Sequence, residues 1–513
     1  MSEELVEADR SGESRWLFGA AAALILHTSW LLARLPLRYT HEDLAALAAV
    51  ADDLAHGRLY QIDFPGQFYG SSLEAFPAAP LIWLGFSPRI AMVLSLALLF
   101  VGQWLTLGWA IRRRFGAWFA VVVVLVPVVL ATRYTASSLL WATAAPRALA
   151  TVAVAVALGV ERQRQRWALV VALFGTALLF DWSMAIIAGP TLVWMAWHDR
   201  RSLPLPAIAA GVVPVVALYA LRARHHGANP AYDLHPAPST GFSTESLDWH
   251  VDHPTAAFRT YGPEFLIDYR MQAIGAFVVV GAVLVAASWR RDLASRGAAI
   301  GVAGGVAAFF ASEGSIRAWV TNSEIVSIAR GLMGLPIAII ALAAFSPLLS
   351  ARLDTRRVAA IMAVAAGLST VARVGTDSIG DYEDAFAVDR ALSIWSVDDL
   401  DQVCAIAADQ VDVAPLLASA STLAYGCSTA LGHPVLFPEY ERRTWLLARH
   451  WRDDPATWIV LTPPGGECVG VEVACESVGP GVAIVHATGG GVATAAVDAN
   501  LPLRPLPEGW PGS

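Results

Sequence analysis

The sequence predicts an all-α polytopic membrane bundle of about eleven transmembrane helices, followed by a small α/β domain outside the membrane. Three observations predict it. Of 513 residues, 56% are hydrophobic and 15% charged, whereas a soluble domain carries roughly a quarter charged residues; the mean hydropathy is +0.53. Apolar stretches of helical length recur from residue 16 to residue 374. Five arginine-rich segments, Arg112–Arg114, Glu161–Arg166, His198–Arg201, Trp289–Arg296 and Arg352–Arg357, follow every second apolar stretch and hold fourteen arginines against four acids. Positive residues resist translocation and mark cytoplasmic loops.

A helix needs about 20 apolar residues, at 1.5 Å each, to cross a bilayer core. The stretches that approach this are about 16–35, 89–111, 117–132, 147–160, 167–181, 183–198, 204–222, 271–289, 297–312, 331–350 and 357–374. The first follows an acidic cytoplasmic tail, residues 1–15, without a small-residue cleavage site, and reads as a retained anchor of a multi-pass plasma (inner) membrane protein. With the N-terminus inside, eleven crossings put all five arginine clusters in the cytoplasm. The loops 36–88, 223–270 and 313–330, and the soluble segment 375–488, then lie outside. One crossing more or fewer would move some clusters to the wrong side. Residues 489–513, rich in Gly, Pro and Ala, read as a disordered tail.

The outer segment holds all four cysteines, Cys404, Cys427, Cys468 and Cys475. An even number confined to one extracytoplasmic segment points to disulfides, with the sequential pairing favoured among three connectivities; free buried thiols are the alternative. Apolar runs at Val411–Ala420 and Trp458–Leu461, with a helical Glu439–His450 between them, indicate the small α/β unit. The net charge of −8 and the absence of a basic patch outside the inner loops give no case for a nucleic-acid partner. There is no G-x-x-x-x-G-K-[ST] phosphate loop and no G-x-S-x-G elbow, which argues against ATP-driven transport and serine hydrolysis.

The first outer loop carries the most chemistry. It runs Tyr39-Thr40-His41-Glu42-Asp43-Leu44, continues through an amphipathic helix (Leu44, Leu47, Ala48, Ala51, Leu54, Ala55), and reaches Gly57-Arg58-Leu59-Tyr60. It then passes through Phe64-Pro65-Gly66-Gln67-Phe68-Tyr69-Gly70-Ser71-Ser72-Leu73-Glu74. Thr40 followed three residues later by an acid has the form of a capping box, and acids in a first helical turn are favoured by about 0.3–1 kcal/mol. Capping and catalysis are therefore both open for Glu42 and Asp43, and they can coexist.

This loop resembles that of the GT-C class of integral-membrane glycosyltransferases, of the protein mannosyltransferase and aminoarabinose transferase kind. The shared order is an acid pair after the first span, an Ala-rich helix, Gly-x-x-Tyr, and Pro-Gly-Gln-x-Tyr-Gly-x-x-Leu-Glu before the second span. The resemblance is firmest over 36–88 and looser to about 222; His41-Glu42-Asp43 departs from the commoner Asp-Glu or Asp-x-Asp order. It implies a GT-C-like fold and sugar transfer, on the outer face, from a polyprenyl-phosphate carrier to an envelope acceptor such as a glycolipid, a polysaccharide or a protein. It also implies that Glu42 or Asp43, with Asp43 preferred, is the general base on the acceptor hydroxyl or helps hold a divalent metal. Tyr69 and Glu74 are then expected to contact substrate.

The chemistry itself asks for two kinds of group. Attack by a hydroxyl needs a base within hydrogen-bond reach, and a leaving phosphate needs cations, which guanidinium matches with parallel hydrogen bonds. Arg133 and Arg147, at the two ends of one short predicted outer loop, are the leading candidates among the outer arginines, which also include Arg222. Snorkelling of the charge to the interface is the plainer role for any one of them. Asp181, in a turn between two apolar spans, is expected either to line the site or simply to make a polar turn. The run Asp248-Trp249-His250-Val251-Asp252-His253 has metal-ligand residue types without a defined zinc spacing, so no metal ligands are assigned and a substrate-covering loop is preferred. A lipid or sugar transporter and a non-catalytic envelope scaffold are the competing classes. Carriers usually show paired halves and charged residues at mid-membrane depth, whereas this chain shows no repeat and its charges cluster outside the spans.

Overall fold

In lipid every backbone polar group must be satisfied within the chain, which leaves the helix as the form open to each apolar stretch. The computed structural model describes residues 3–59, 63, 71–140, 144–227, 258, 261–289, 292–310, 332–346, 354–375, 395–412, 414–433, 435–436, 457–488 and 492–501. Its elements begin with α1 (Glu3–Arg34), β1 (Tyr39–Thr40), α2 (Glu42–Ala55), α3 (Ala75–Trp83), α4 (Pro88–Phe115), α5 (Ala117–Val129), α6 (Thr132–Leu140) and α7 (Ala144–Gly159). The bundle continues with α8 (Gln163–Phe180), α9 (Ala185–His198), α10 (Leu205–Gly227), α11 (Tyr269–Trp289), α12 (Leu293–Phe310), α13 (Leu335–Phe345) and α14 (Thr355–Gly375).

Each of the eleven apolar stretches thus carries a helix, and the chain is a multi-pass membrane protein. Among the described residues five helices are long and apolar enough to cross alone: Glu13–Arg34, Pro88–Phe115, Leu205–Arg224, Arg270–Trp289 and Thr355–Gly375. The others are shorter or less apolar, so eleven full-length spans are met only in part. The sequence reading also took residues 133–146 for a short loop. Instead Thr132–Leu139 is helical and meets α7 at a bend of 110°. The local reason is that no Gly or Pro interrupts Thr132–Leu140, and the N–H of Thr132 is bound by the Glu264 carboxylate at 2.6 Å.

The C-terminal unit comprises β2 (Trp395–Ser396), α15 (Val397–Ala408), β3 (Leu416–Ala418), α16 (Ser421–Leu431), β4 (Val435–Leu436), β5 (Thr457–Leu461), β6 (Cys475–Gly479), β7 (Val482–His486) and α17 (Val492–Asp498). Strands β4-β3-β5-β7-β6 form one mixed sheet, parallel at β4-β3-β5 and antiparallel at β5-β7-β6. Side chains alternate across it, as strands require. Leu416, Ala418, Ile459 and Leu461 join one apolar core with α15 and α16, while Leu417, Trp458 and Val460 join a second with Ala495 and Ala496 of α17. Helix α17 falls in the segment expected to be disordered. Its Val-Ala-Thr-Ala-Ala run favours a helix, and burying Ala495 and Ala496 against the sheet holds it there. Disulfides join Cys404 to Cys427 and Cys468 to Cys475, the sequential pairing. Glu439–His450 lies outside the described residues.

This unit docks on the first long loop. Strand β1 pairs antiparallel with β2, Tyr39 opposite Ser396, and the N–H of Val397 donates to the Arg38 carbonyl at 2.8 Å. Helix α2 packs between α3 and α4 on one side and α16 on the other. Its Leu44–Ala51 run is buried throughout, so it lies against protein and not against lipid.

Candidate active site

The segment before α3 is tied down residue by residue. Ser71 Oγ accepts from the N–H of Leu73 at 2.8 Å, Ser72 Oγ donates to the Asp63 carbonyl at 2.6 Å, and Ser95 Oγ of α4 donates to the Glu74 carbonyl at 2.7 Å. These bonds fix the backbone of Glu74 and send its side chain into the bundle, where it is 0% exposed. Its Oε1 accepts from the N–H of Ala145 at 3.0 Å. Its Oε2 is buried and has no hydrogen-bond partner among the described residues. Burial raises this carboxyl to about 7, against the opposing effects of the Ala145 N–H, its own N–H, the Ser71 hydroxyl and the charge of Arg147.

Helix α7 opens Ala144-Ala145-Pro146-Arg147. Proline suits a first turn because its missing N–H would have no intrahelical partner there. The N–H of Ala145 is one of the donors that a helix start leaves unmet, and Glu74 meets it. Two residues further along the same turn stands Arg147, 0% exposed. Its Nε, Nη1 and Nη2 are all buried with no hydrogen-bond partner among the described residues. The acids whose charge acts on it are Asp181 and Glu74. Leaving a buried charge uncompensated costs several kcal/mol.

Aromatic rings wall this space. Tyr134 is fully buried, its hydroxyl donates to the Met333 carbonyl at 3.4 Å, and its ring packs against Phe100, Trp104 and Tyr261 at centroid distances of 6.3–6.4 Å. Asp181 ends α8; its Oδ1 accepts from the N–H of Ser183 at 2.9 Å, capping a single 3₁₀ turn, Trp182–Met184. The carboxylate therefore shapes the turn and acts on Arg147 as well. Arg133 precedes Tyr134 on α6 and is partly buried. Arg222 is engaged elsewhere, with Asp63 at 2.6 Å and the Leu179 carbonyl at 2.6 Å.

The acid pair has a different setting. The helix cap is His41, not Thr40: the chain leaves β1 extended, with His41 at φ −134° and ψ 175°, and His41 Nδ1 accepts from the N–H of Asp43 at 3.0 Å. Thr40 is committed to the strand pairing with Trp395. Glu42 is exposed to the C-terminal unit, and its Oε2 accepts from Ser421 Oγ of α16 at 2.8 Å. Asp43 beside it is buried, at 6% exposure. Tyr69 lies outside the described residues, as do the loop 313–330 and the run Asp248–His253. Among the described residues no three His, Cys, Asp or Glu side chains gather in a metal-holding group.

Sequence reasoning had each of Glu74, Arg147 and Asp181 singly. It missed that they share one space, and it missed Tyr261. The only local signal was Tyr134 beside Arg133.

No family model matches the chain, and no curated protein matches it. Among solved structures it is similar to ArnT from Cupriavidus metallidurans in the apo state, with 16% identity and a TM-score of 0.47 over 95% of this chain and 99% of that one. It is also similar to the same ArnT bound to undecaprenyl phosphate, with 16% identity and a TM-score of 0.48 over 93% and 98%. A third likeness is to the oligosaccharyltransferase from Archaeoglobus fulgidus in complex with zinc and sulfate, with 13% identity and a TM-score of 0.36 over 87% and 68%. These neighbours are GT-C glycosyltransferases, the class that the first-loop motif resembles. At such scores no residue role passes from them to this chain.

Proposed function

We propose that the chain is a membrane glycosyltransferase that moves a sugar from a polyprenyl-phosphate carrier to an acceptor hydroxyl in the cell envelope. The observation that carries this reading is the fully buried guanidinium of Arg147, its three nitrogens unpartnered among the described residues, beside the buried carboxyl of Glu74. A phosphate held there would meet parallel N–H donors of the geometry it accepts best. Two disulfides in the C-terminal unit support an oxidising, extracytoplasmic face for it. The arginine clusters support eleven crossings with the N-terminus in the cytoplasm.

In the proposed reaction the acceptor oxygen attacks the anomeric carbon as the bond from that carbon to the phosphate oxygen breaks. The bonding pair stays on the phosphate, where Arg147 stabilises the developing charge. The acceptor proton goes to a carboxylate of the first loop, Asp43 in preference to Glu42. Glu74 and Asp181 orient the guanidinium, and Tyr69 and Arg133 are assigned to the substrate approach. Incubating membranes that contain the protein with radiolabelled polyprenyl-phosphate sugars tests the reading. Label is expected to move to an envelope glycolipid, polysaccharide or protein with wild type; failure with every sugar offered, despite intact protein, would reject it.

A further inference from the structure

A cavity of about 720 Å³ lies between α1, α5 and α14, a volume within the range of about 300–1,000 Å³ typical of small-ligand sites. Helix α6 borders it. Thr132 and Thr135, three residues apart and so on one face of that helix, receive Arg373 Nε at 3.1 Å and meet His27 Nε2 at 3.3 Å. Both Arg373 and His27 line the cavity. From Trp16 to Trp30 along α1 the lining extends about 21 Å at 1.5 Å per residue, and it is apolar apart from His27, Thr370 and Arg373.

Arg373 is 1% exposed. Its Nη2 donates to the Leu130 carbonyl, but its Nη1 has no hydrogen-bond partner among the described residues. Glu264, which holds the Thr132 N–H, is the acid whose charge acts on this guanidinium. The groove is flanked by residues open to lipid, with Leu26 69% and Val374 70% exposed.

We propose that this groove seats one chain of a glycerophospholipid, with a phosphodiester oxygen accepting the free N–H of Arg373 Nη1. The groove's apolar length suits a hydrocarbon chain entering sideways from the bilayer. The one negative charge of a diester matches a single guanidinium, whereas the roughly −1.5 to −2 of a phosphate monoester such as a free polyprenyl phosphate exceeds it. The occupant is a structural or regulatory lipid seated at Arg373, and not at Arg147, where the sugar donor, itself a phosphodiester, is proposed.

Full-length protein purified in detergent, delipidated and titrated with phosphatidylglycerol under native mass spectrometry tests this. Gly19 and Gly367 line the groove, and a Cβ built at either meets nothing within 4 Å, so the side chains of Gly19→Leu and Gly367→Leu start in open space and are aimed at filling it. One tightly retained lipid is expected for wild type. Retention should fall at least about ten-fold in each glycine variant and in Arg373→Gln, the weight of one charge-assisted hydrogen bond or of lost chain contact. Should Arg373→Gln fail to fold for want of its bonds to Leu130 and Thr132, the two glycine variants decide. Wild-type retention in both glycine variants would overturn the proposal. So would equal binding of diacylglycerol, which lacks the phosphate, or tighter binding of undecaprenyl phosphate. None of these readouts depends on sugar transfer.

Discussion

Glu74 accepts the N–H of Ala145 at 3.0 Å, and through that bond a residue of the first long loop fixes the helix turn that carries Arg147. Glu74 and Ala145 are 71 positions apart in the chain, yet the Glu74 carboxyl and the Arg147 guanidinium are buried within reach of each other's charge and of Asp181. Their charges interact there while Glu74 Oε2 and all three nitrogens of Arg147 keep hydrogen-bonding capacity unused among the described residues. That combination sets a positioned cation beside an acid that burial raises toward neutrality.

The first prediction concerns pH. Burial, the largest influence, raises Glu74 from 4.5 to about 7. Below that pH the carboxyl is neutral, can donate from Oε2, and leaves Arg147 to the donor's phosphodiester. Above it the carboxylate competes for the guanidinium and repels phosphate. The KM for a polyprenyl-phosphate sugar is expected to rise as pH rises through about 7, and Glu74→Gln should keep the low-pH KM throughout. A wild-type KM independent of pH, or an unchanged profile in the variant, counts against the assignment.

The acid pair should divide by role. Asp43 is buried, whereas Glu42 is tied to Ser421 at 2.8 Å. Asp43→Asn is expected to lower kcat by about 10²–10⁴, the weight of a general base, with expression intact. Glu42→Gln and Ser421→Ala should each cost only about 0.5–1.5 kcal/mol of domain docking, read as faster proteolysis between the two units. Normal transfer by Asp43→Asn would remove it as the base; equal loss in Glu42→Gln would move that role.

The disulfides give a test of sidedness. Cys404–Cys427 ties α15 to α16, the helix packed on α2, across a separation of 23 residues. Replacing both by serine should destabilise the C-terminal unit by about 3 kcal/mol, measured by thermal unfolding followed through proteolysis. On intact cells a membrane-impermeant maleimide should label the cysteines only after reduction. Labelling that requires permeabilised cells instead would place this unit in the cytoplasm.

The bundle was legible because lipid imposes a simple rule: apolar runs of sufficient length become helices, and arginines mark their ends. The disulfide pairing was legible from cysteine order within one segment. The helix at Thr132–Leu140 was not, since its start is held by Glu264, 132 positions away. Nor was the cap at His41, because the extended entry to α2 comes from pairing with Trp395 in the C-terminal unit. For the same reason Glu74 and Arg147 were nameable one at a time: residue type predicts chemistry, but their meeting depends on how α3, α4 and α7 pack.

Replacement of Arg147 by methionine tests the central claim most directly, with donor binding and thermal stability measured on the same purified protein. A similar volume without the charge removes a guanidinium that makes no hydrogen bond among the described residues, so the fold should persist. Binding of a polyprenyl phosphate should fall by about 10²-fold or more, as loss of an oxyanion-type donor does. A variant that binds the lipid phosphate as wild type does, or one that loses binding only because it unfolds, would contradict the account.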